Sequence, residues 1–191
     1  RLKGAKIVTC QHGGNYGQDK KSPSEFIERK WSDVYITWGW KDLCYPGAQL
    51  FPLPQPHLSG YLNKHKPKTK TVLWSGTTMP RQSVRLMSKI PDKLFKYLDC
   101  KKRFISYLNE DILKFLIYRP HPIDCGWSSE EKKIFTKYPD VKIEHIGSLA
   151  ELLQKVKLYI CDDQATSFME ALVVNTPTIL FWDYESCNER E

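Results

Sequence analysis

The sequence lacks the features that mark several common classes of protein. Its six cysteines are scattered and form no CxxC pair, which argues against a zinc site of closely spaced ligands and favours reduced thiols in a cytoplasmic protein. No apolar run reaches the roughly 18 residues of a transmembrane helix. The first residues lack the apolar core of a signal peptide. The chain also begins without Met, which indicates a fragment or a processed product.

Two signatures of nucleotide binding are also missing from the glycine-rich segment QHGGNYG (11–17). It has neither the GK[ST] of a P-loop nor the GxGxxG spacing of a dinucleotide site. Bare backbone at Gly13 and Gly14 would still let a ligand approach closely, so we predict both as donor-binding residues. His12 carries an imidazole, the side chain that most often serves as a general base, and we predict it as the catalytic general base. A hydrogen-bonded histidine in a glycine-rich turn is the alternative.

The chain does have a globular composition and an uneven distribution of charge. Its 191 residues are 41% hydrophobic and 13% aromatic, which is enough to bury a core. Residues 1–70 hold 12 Lys and Arg against 5 Asp and Glu, whereas residues 71–191 hold 17 of each. Much of the excess lies in NKHKPKTK (63–70) and indicates a solvated basic linker. A nucleic-acid-binding tail, an anionic substrate and a membrane surface are the alternatives.

Strand-like and helix-like segments alternate from residue 70 onward. Because strands that alternate with helices favour a parallel sheet, we predict an α/β fold with a Rossmann-like, mostly parallel sheet and helices on both faces. The predicted strands are 70–77, 112–120, 141–146, 158–162 and 177–182, and the predicted helices are 91–109, 128–138, 148–156 and 166–174.

The chain before residue 70 is less regular. We predict strands at 5–10 and 33–40 around a helix at 22–31, with Ser22 or Ser24 as its N-cap. The proline- and lysine-rich segment that follows is typical of a connection. The predicted division is 1–45, the tail of a first domain or an inter-domain segment; 46–69, a linker; and 70–191, a Rossmann-like domain.

In such sheets ligands bind beyond the carboxyl ends of the strands. At the end of the strand LYICD, Thr166 and Ser167 begin a helix whose free N–H groups favour a phosphate. Glu170 lies on the same helix face as Thr166, where it would accept hydrogen bonds from sugar hydroxyls. Asp163, just before this helix, is also predicted as a donor-binding residue. The alternative is a structural helix capped by Asp163 or Thr166.

Another predicted strand ends in RPHP, which places Arg119 and His121 at the same sheet edge. The prolines keep this loop extended. A cation beside an imidazole suits a diphosphate leaving group, because negative charge grows there as the bond breaks. We predict both as donor-binding residues; a structural histidine is the alternative.

Together these segments resemble the carboxyl half of GT-B glycosyltransferases, and most closely a bacterial family of surface-carbohydrate transferases. The motifs are HGGNYG (12–17), TWGW (37–40) and RPHPIDCGW (119–127), with a block from Thr166 through Glu170 to Ile179. A wider similarity, to CDP-glycerol glycerophosphotransferases and capsular Kdo transferases, rests on the Pro-His-Pro loop and the helix start.

The resemblance implies a transferase that moves a sugar or glycerol phosphate from a nucleotide-activated donor to a surface-carbohydrate acceptor. It implies that residues 70–191 are the donor-binding domain, truncated at its carboxyl end, and that His12 lies across a cleft near the acceptor. No cofactor and no metal are expected. The expected partners are the donor and the acceptor, with peripheral membrane association and without nucleic acid. A nucleotide-sugar epimerase and a non-catalytic domain that binds an anion or a partner are the alternatives.

Overall fold

A computed structural model describes residues 4–19, 22–41, 47–78, 94–126, 128–145 and 147–182. The first part of the chain forms a parallel sheet of three strands in the order β1-β2-β3. Helix α1 connects the first two strands and begins after Ser22, whose hydroxyl accepts a hydrogen bond from the backbone of Glu25 over 3.4 Å. The elements are β1 (Val8–Cys10), α1 (Pro23–Trp31), β2 (Val34–Thr37) and β3 (Gln49–Pro52).

Strand β3 lies inside the proline-rich segment, where we predicted only a connection. It pairs in parallel with β2, from Gln49 opposite Val34 to Pro52 opposite Thr37. A proline normally argues against a strand because it cannot donate to a ladder, but an edge strand tolerates it. A short helix, α2 (Pro56–Ser59), follows. The division of the chain at residues 45 and 70 stays a prediction.

The second part of the chain forms a parallel sheet of five strands and confirms the predicted Rossmann-like fold. Its strands lie in the order β6-β5-β4-β7-β8, so the chain order reverses between β4 and β7. The elements are β4 (Val72–Ser75), α3 (Leu94–Ser106), α4 (Glu110–Leu113), β5 (Leu116–Arg119), α5 (Ser128–Phe135), β6 (Lys142–Ile143), α6 (Leu149–Leu153), β7 (Leu158–Cys161), α7 (Thr166–Val174) and β8 (Thr178–Leu180).

The strand predicted at 112–120 and the helix predicted at 91–109 match the structure only in part. The strand predicted at 112–120 begins only at Leu116, because its first residues close the short helix α4, whose acidic first turn suits a helix start. The predicted helix 91–109 is helical from Leu94, its preceding residues lying outside the described ones. At 13 residues α3 is the longest helix described, and no helix in the described chain has the length and apolarity of a membrane span.

The second sheet is buried on both faces. Trp74, fully buried at its centre, makes edge-to-face contacts with Phe104, Tyr118 and Phe135 under α3 and α5. Its neighbour Leu73 points to the opposite face, because side chains alternate along a strand. That face is covered by buried residues of α6, α7 and the strands between them, namely Leu153, Tyr159, Ala171 and Val174. With both faces covered, a ligand can reach this sheet only at the ends of its strands.

Candidate functional site

A crevice of about 270 Å³ lies where the strand order reverses. In open α/β sheets this reversal creates a gap between the loops that leave neighbouring strands, and ligands bind there. The loops after β4, β5 and β7 line it, together with Leu149 at the start of α6. It brings together five of the predicted donor-binding residues: Arg119, His121, Asp163, Thr166 and Ser167.

The start of α7 forms one wall of the crevice. Helix α7 begins at Thr166, and its N-cap residue Ala165 has no side-chain acceptor for the first N–H groups of the helix. Neither Asp163 nor Thr166 is therefore the N-cap residue of this helix. Unpaired N–H groups and the helix dipole together favour an anion at this point. The hydroxyl of Ser167 lies 3.3 Å from Sγ of Cys161, beneath the same wall.

The glycine-rich loop after β1 reaches across to this helix start. The backbone nitrogen of Gly14 donates a hydrogen bond to Oγ1 of Thr166 over 3.0 Å. A Cβ atom on Gly14 would lie 2.6 Å from the backbone nitrogen of Thr166, so only glycine permits this approach. Gly13 lies beside it, and its carbonyl accepts a hydrogen bond from Nε2 of Gln11 over 2.7 Å.

The TWGW motif holds the glycine-rich loop in place. Gln11 is buried, and its side-chain oxygen accepts hydrogen bonds from the backbone nitrogen of Trp38 over 2.9 Å and from the indole of Trp40 over 2.7 Å. Thr37 at the end of β2 donates through its hydroxyl to the carbonyl of Trp40 over 2.6 Å. The two motifs therefore form one structural unit facing the start of α7.

His12 lies in this unit but does not line the crevice. Its side chain is 69% exposed, with Nδ1 3.5 Å from a carboxylate oxygen of Glu28. The hydroxyl of Tyr16 lies 3.1 Å from Nε2 of His12 and donates to Glu28 over 2.9 Å. Burial of the phenol is the main cause that raises the pKa of Tyr16 above its ordinary value, and the carboxylate of Glu28 is the second. The hydroxyl of Tyr16 therefore keeps its proton. His12 is thus an accessible imidazole oriented by a phenol and a carboxylate.

Arg119 and His121 leave β5 on the opposite side of the crevice. Arg119 donates through Nη2 to the carbonyl of Gly147 over 2.9 Å, and its buried Nε has no partner among the described residues. Nδ1 of His121 accepts a hydrogen bond from the backbone nitrogen of Ile123 over 3.1 Å. Nδ1 of His121 also lies 3.3 Å from the carbonyl oxygen of Ile123, so the contacts of this turn fall on Nδ1 and leave Nε2 available to a ligand.

Glu170 lies further along α7, outside the residues that line the crevice. It is half-buried, and burial raises its pKa above the ordinary value of 4.5 while the charges of His57 and Arg119 lower it. Its predicted contact with a sugar stays a prediction.

Sequence reasoning missed a buried polar cluster beneath the crevice, centred on Lys101. The side chain of Lys101 in α3 is fully inaccessible, and its ammonium lies 3.3 Å from Oδ2 of Asp162 and contacts Glu131 and Tyr118. Burial raises the pKa of Asp162, whereas Lys101 lowers it. The signal was present in the sequence, because Lys101 falls in the apolar stripe of α3 that includes Leu98 and Ile105.

The cluster supports the floor and rim of the crevice. Asp162 accepts hydrogen bonds from the indole of Trp74 over 2.8 Å and from the hydroxyl of Tyr97 over 3.0 Å. The same hydroxyl accepts a hydrogen bond from the backbone nitrogen of Thr77 over 3.0 Å. Gly76 covers the ammonium so closely that a Cβ atom there would lie 2.7 Å from Nζ of Lys101. The loop after β4 is thereby fixed to the cluster.

A second cavity of about 420 Å³ adjoins the crevice on the β5 and β6 side. The rings of Tyr97, Tyr118 and Phe135 contribute to its wall. It shares Thr77 and His121 with the crevice, so the two cavities meet at these residues. A ligand could therefore extend from the helix start into an aromatic pocket.

Comparison with known families identifies a match along the chain. The model of the family described as LIC12162 family transferase matches residues 1–190. The match includes both the glycine-rich loop and the crevice. A comparison with curated proteins finds no match.

Proposed function

The chain belongs to the LIC12162 family of transferases, and from that premise we propose that it moves a sugar or glycerol phosphate from a nucleotide-activated donor to a carbohydrate acceptor. The observation that carries the proposal is the crevice at the strand-order reversal. There the start of α7 faces a loop that supplies an arginine and a histidine. These groups suit the diphosphate of an activated donor, because they stabilise negative charge as the leaving group departs.

The donor phosphates would bind at the start of α7. Thr166 accepts a hydrogen bond from Gly14, so its own hydroxyl proton is left to donate to a phosphate oxygen. Ser167 and the first N–H groups of α7 would add further donors. Arg119 and Nε2 of His121 would contact the phosphates from the other side. The bare backbone of Gly14 would close the site against water.

The nucleoside of the donor would extend into the adjoining cavity. A volume of about 420 Å³ falls within the range of roughly 300–1,000 Å³ that is typical of small-molecule sites. The aromatic wall formed with Tyr97 and Tyr118 suits a flat base. The shared rim at Thr77 and His121 would lie beside the ribose.

His12 would act on the acceptor as the general base. The acceptor oxygen would attack the transferred carbon or phosphorus, and the bond to the leaving phosphate would break with its electron pair remaining on the nucleotide. His12 would take the proton of the acceptor hydroxyl, and Glu28 beside Nδ1 would stabilise the imidazolium that forms. The exposure of His12 suits an acceptor that approaches from solvent.

Thermal unfolding with CMP, CDP, UDP and GDP tests the donor site. We expect one of these nucleotides to raise the melting temperature in proportion to the logarithm of its concentration over its Kd. The variant Thr166→Ala/Ser167→Ala should bind about tenfold or more weakly, because it loses two donors to charged oxygens. The matched control, Ser106→Ala/Thr136→Ala, removes two exposed hydroxyls that, among the described residues, bond to backbone carbonyls three or four positions earlier. No stabilisation by any nucleotide, or equal binding by both variants, would refute the donor site.

Release of free nucleotide from a donor separates transfer from the alternatives. His12→Ala should lose this release and keep nucleotide binding if His12 is the base. An epimerase would convert the donor without releasing nucleotide, and a non-catalytic domain would bind it without turnover. The family assignment to transferases favours transfer over both.

A further inference from the structure

Six exposed lysines gather at the end of the second sheet that lies opposite the crevice. They lie just before the amino ends of β4 and β7, whereas the crevice lies beyond the carboxyl ends of the same strands. We call this surface the lysine strip. It consists of Lys64, Lys66, Lys68, Lys70, Lys155 and Lys157.

The backbone of the lysine strip is hydrogen-bonded to the ends of α6 and α7. Lys66 donates through its backbone nitrogen to Gln154 over 2.8 Å, and Lys68 donates to Lys155 over 2.9 Å. Between them, His65 donates to the carbonyl of Val174 over 3.0 Å. These bonds place Lys66 and Lys68 beside Lys155 at the end of α6. Lys64 and Lys70 flank them in the chain and are exposed as well.

These charges are not neutralised by carboxylates within the described chain. The exposed lysines that form ion pairs there are others, Lys102, Lys114 and Lys133. A cluster of this size, with six cations on one surface, attracts an anionic bilayer, because each lysine near the surface adds to the attraction.

Large apolar side chains are exposed at both ends of the lysine strip. At one end Leu62 is 62% exposed, and the backbone bond from Asn63 to Val173 over 2.9 Å places it beside the end of α7. At the other end Phe115 is 43% exposed, and the ammonium of Lys70 lies 5.8 Å from the centre of its ring. Basic groups that flank exposed apolar side chains are typical of surfaces that lie in the membrane interface.

We propose that the lysine strip, with Leu62 and Phe115, binds the surface of a bilayer that contains anionic lipid. The cations would bind the headgroups, and the two apolar side chains would enter the boundary with the acyl chains. The crevice would then open away from the bilayer and stay accessible. A nucleic acid suits this surface less well for two reasons. The strip contains no arginine, which is the residue best suited to bidentate phosphate contacts. An exposed leucine, in addition, contributes nothing to phosphate binding.

Sedimentation with lipid vesicles tests the proposal. We expect the full chain to bind vesicles of phosphatidylcholine mixed with phosphatidylglycerol, and to bind phosphatidylcholine alone much less. Replacing Lys64, Lys66, Lys68 and Lys70 with Ser should weaken this binding by about tenfold or more. The matched control replaces four exposed lysines outside the strip, Lys30, Lys102, Lys133 and Lys137, with Ser, and changes the net charge equally. It should bind nearly as well as the unchanged chain.

A second variant tests the apolar contribution. Leu62→Ser/Phe115→Ser keeps every charge, so we expect it to lose the binding that survives at high salt, where attraction between charges is screened. Circular dichroism and thermal unfolding would establish that each variant is folded. Equal binding by the two lysine variants, or equal binding to both kinds of vesicle, would overturn the proposal. Binding to a DNA duplex through the lysine strip, with none to vesicles, would overturn it in favour of a nucleic-acid partner.

Discussion

The backbone nitrogen of Gly14 donates to the side chain of Thr166 across 3.0 Å, although the two residues are 152 positions apart in the chain. This bond joins a loop of the first sheet to the helix start that forms one wall of the crevice. The wall therefore depends on both sheets. A substitution in the first sheet can thus change a site whose remaining residues all belong to the second.

Gly14→Ala should separate the loop from α7. Its Cβ atom would lie 2.6–2.8 Å from backbone atoms of Ala165 and Thr166, and backbone cannot rotate away as a side chain can. We expect the free energy of unfolding to fall by about 1–3 kcal/mol, the usual cost of overpacking. Urea unfolding measures this change.

Gly13→Ala is the matched control for this substitution. Its Cβ atom would meet only side-chain atoms, with Oδ1 of Asn15 at 3.0 Å and the ring of Tyr16 at 3.6 Å. These atoms can move, so the loss should be smaller than for Gly14→Ala. Equal losses of unfolding free energy in the two variants would show that the contact with Thr166 does not contribute to stability.

Lys101→Met should strongly destabilise the protein. The change removes the cation and leaves Asp162 and Glu131 buried or partly buried beside one another without it. Removing one partner of a buried ion pair costs about 3–5 kcal/mol of stability. We expect the free energy of unfolding, measured with urea, to fall by this order.

Lys102→Met provides the comparison one residue further along the same helix. Lys102 is 58% exposed and pairs with Asp99 on the surface, so its replacement should change stability by less than about 1 kcal/mol. Asp162→Asn in the Lys101→Met background should recover part of the loss, because it removes an unpaired charge. No recovery would attribute the loss to packing instead.

The sequence predicted the second sheet well, because each strand there is a short apolar run followed by a turn or helix signal. The helix at 166–174 has the predicted ends, since small polar residues follow a buried strand and Asn175 ends the helix in a left-handed conformation. Strand β3 was missed, because Pro52 argues against a strand unless its position at a sheet edge is known.

The crevice was predictable only in part. The rule that ligands bind beyond the carboxyl ends of parallel strands selects Arg119, His121 and Thr166 from the sequence alone. The approach of Gly14 to Thr166 was not predictable, because no local pattern tells which loops of two sheets meet. The environment of Lys101 depends on packing between α3 and α5, which sequence periodicity indicates only as a lysine in an apolar stripe.

Gly76→Ala should disturb the floor of the crevice. Its Cβ atom would lie 1.9 Å from the hydroxyl oxygen of Tyr118, so the ring or the loop must move. We expect a loss of about 1–3 kcal/mol in urea unfolding. Gly60→Ala is the control, because its backbone is right-handed helical and its Cβ atom would meet only the carbonyl oxygen of His57 at 3.6 Å.

Tyr118→Phe tests the cause of that loss. It removes the hydroxyl that the new methyl group would strike, so it should cost less in the Gly76→Ala background than in the unchanged protein. A double-mutant cycle should give a coupling free energy of about 0.5–3 kcal/mol, the range for residues in contact. Strict additivity would place the strain elsewhere in the loop after β4.

Glu170→Gln should change the dependence of stability on pH. Burial raises the pKa of Glu170 in the folded protein above its ordinary value of 4.5. At a pH between the ordinary pKa and the raised pKa, the folded protein therefore binds more protons than the unfolded chain. The unfolding free energy of the unchanged protein therefore falls as pH rises through this window, and the loss persists above it. Glutamine does not titrate, so the unfolding free energy of the variant does not fall for this reason.

The difference between the two proteins isolates this effect, because the other titrating groups are common to both. We expect the stability of Glu170→Gln relative to the unchanged protein to increase as the pH rises above about 4.5, as measured by thermal unfolding at closely spaced pH values. The positive charges of His57 and, after it, Arg119 work against the shift, so Arg119→Gln should enlarge this increase. A difference that stays constant over the range would mean that Glu170 keeps its ordinary pKa in the folded protein.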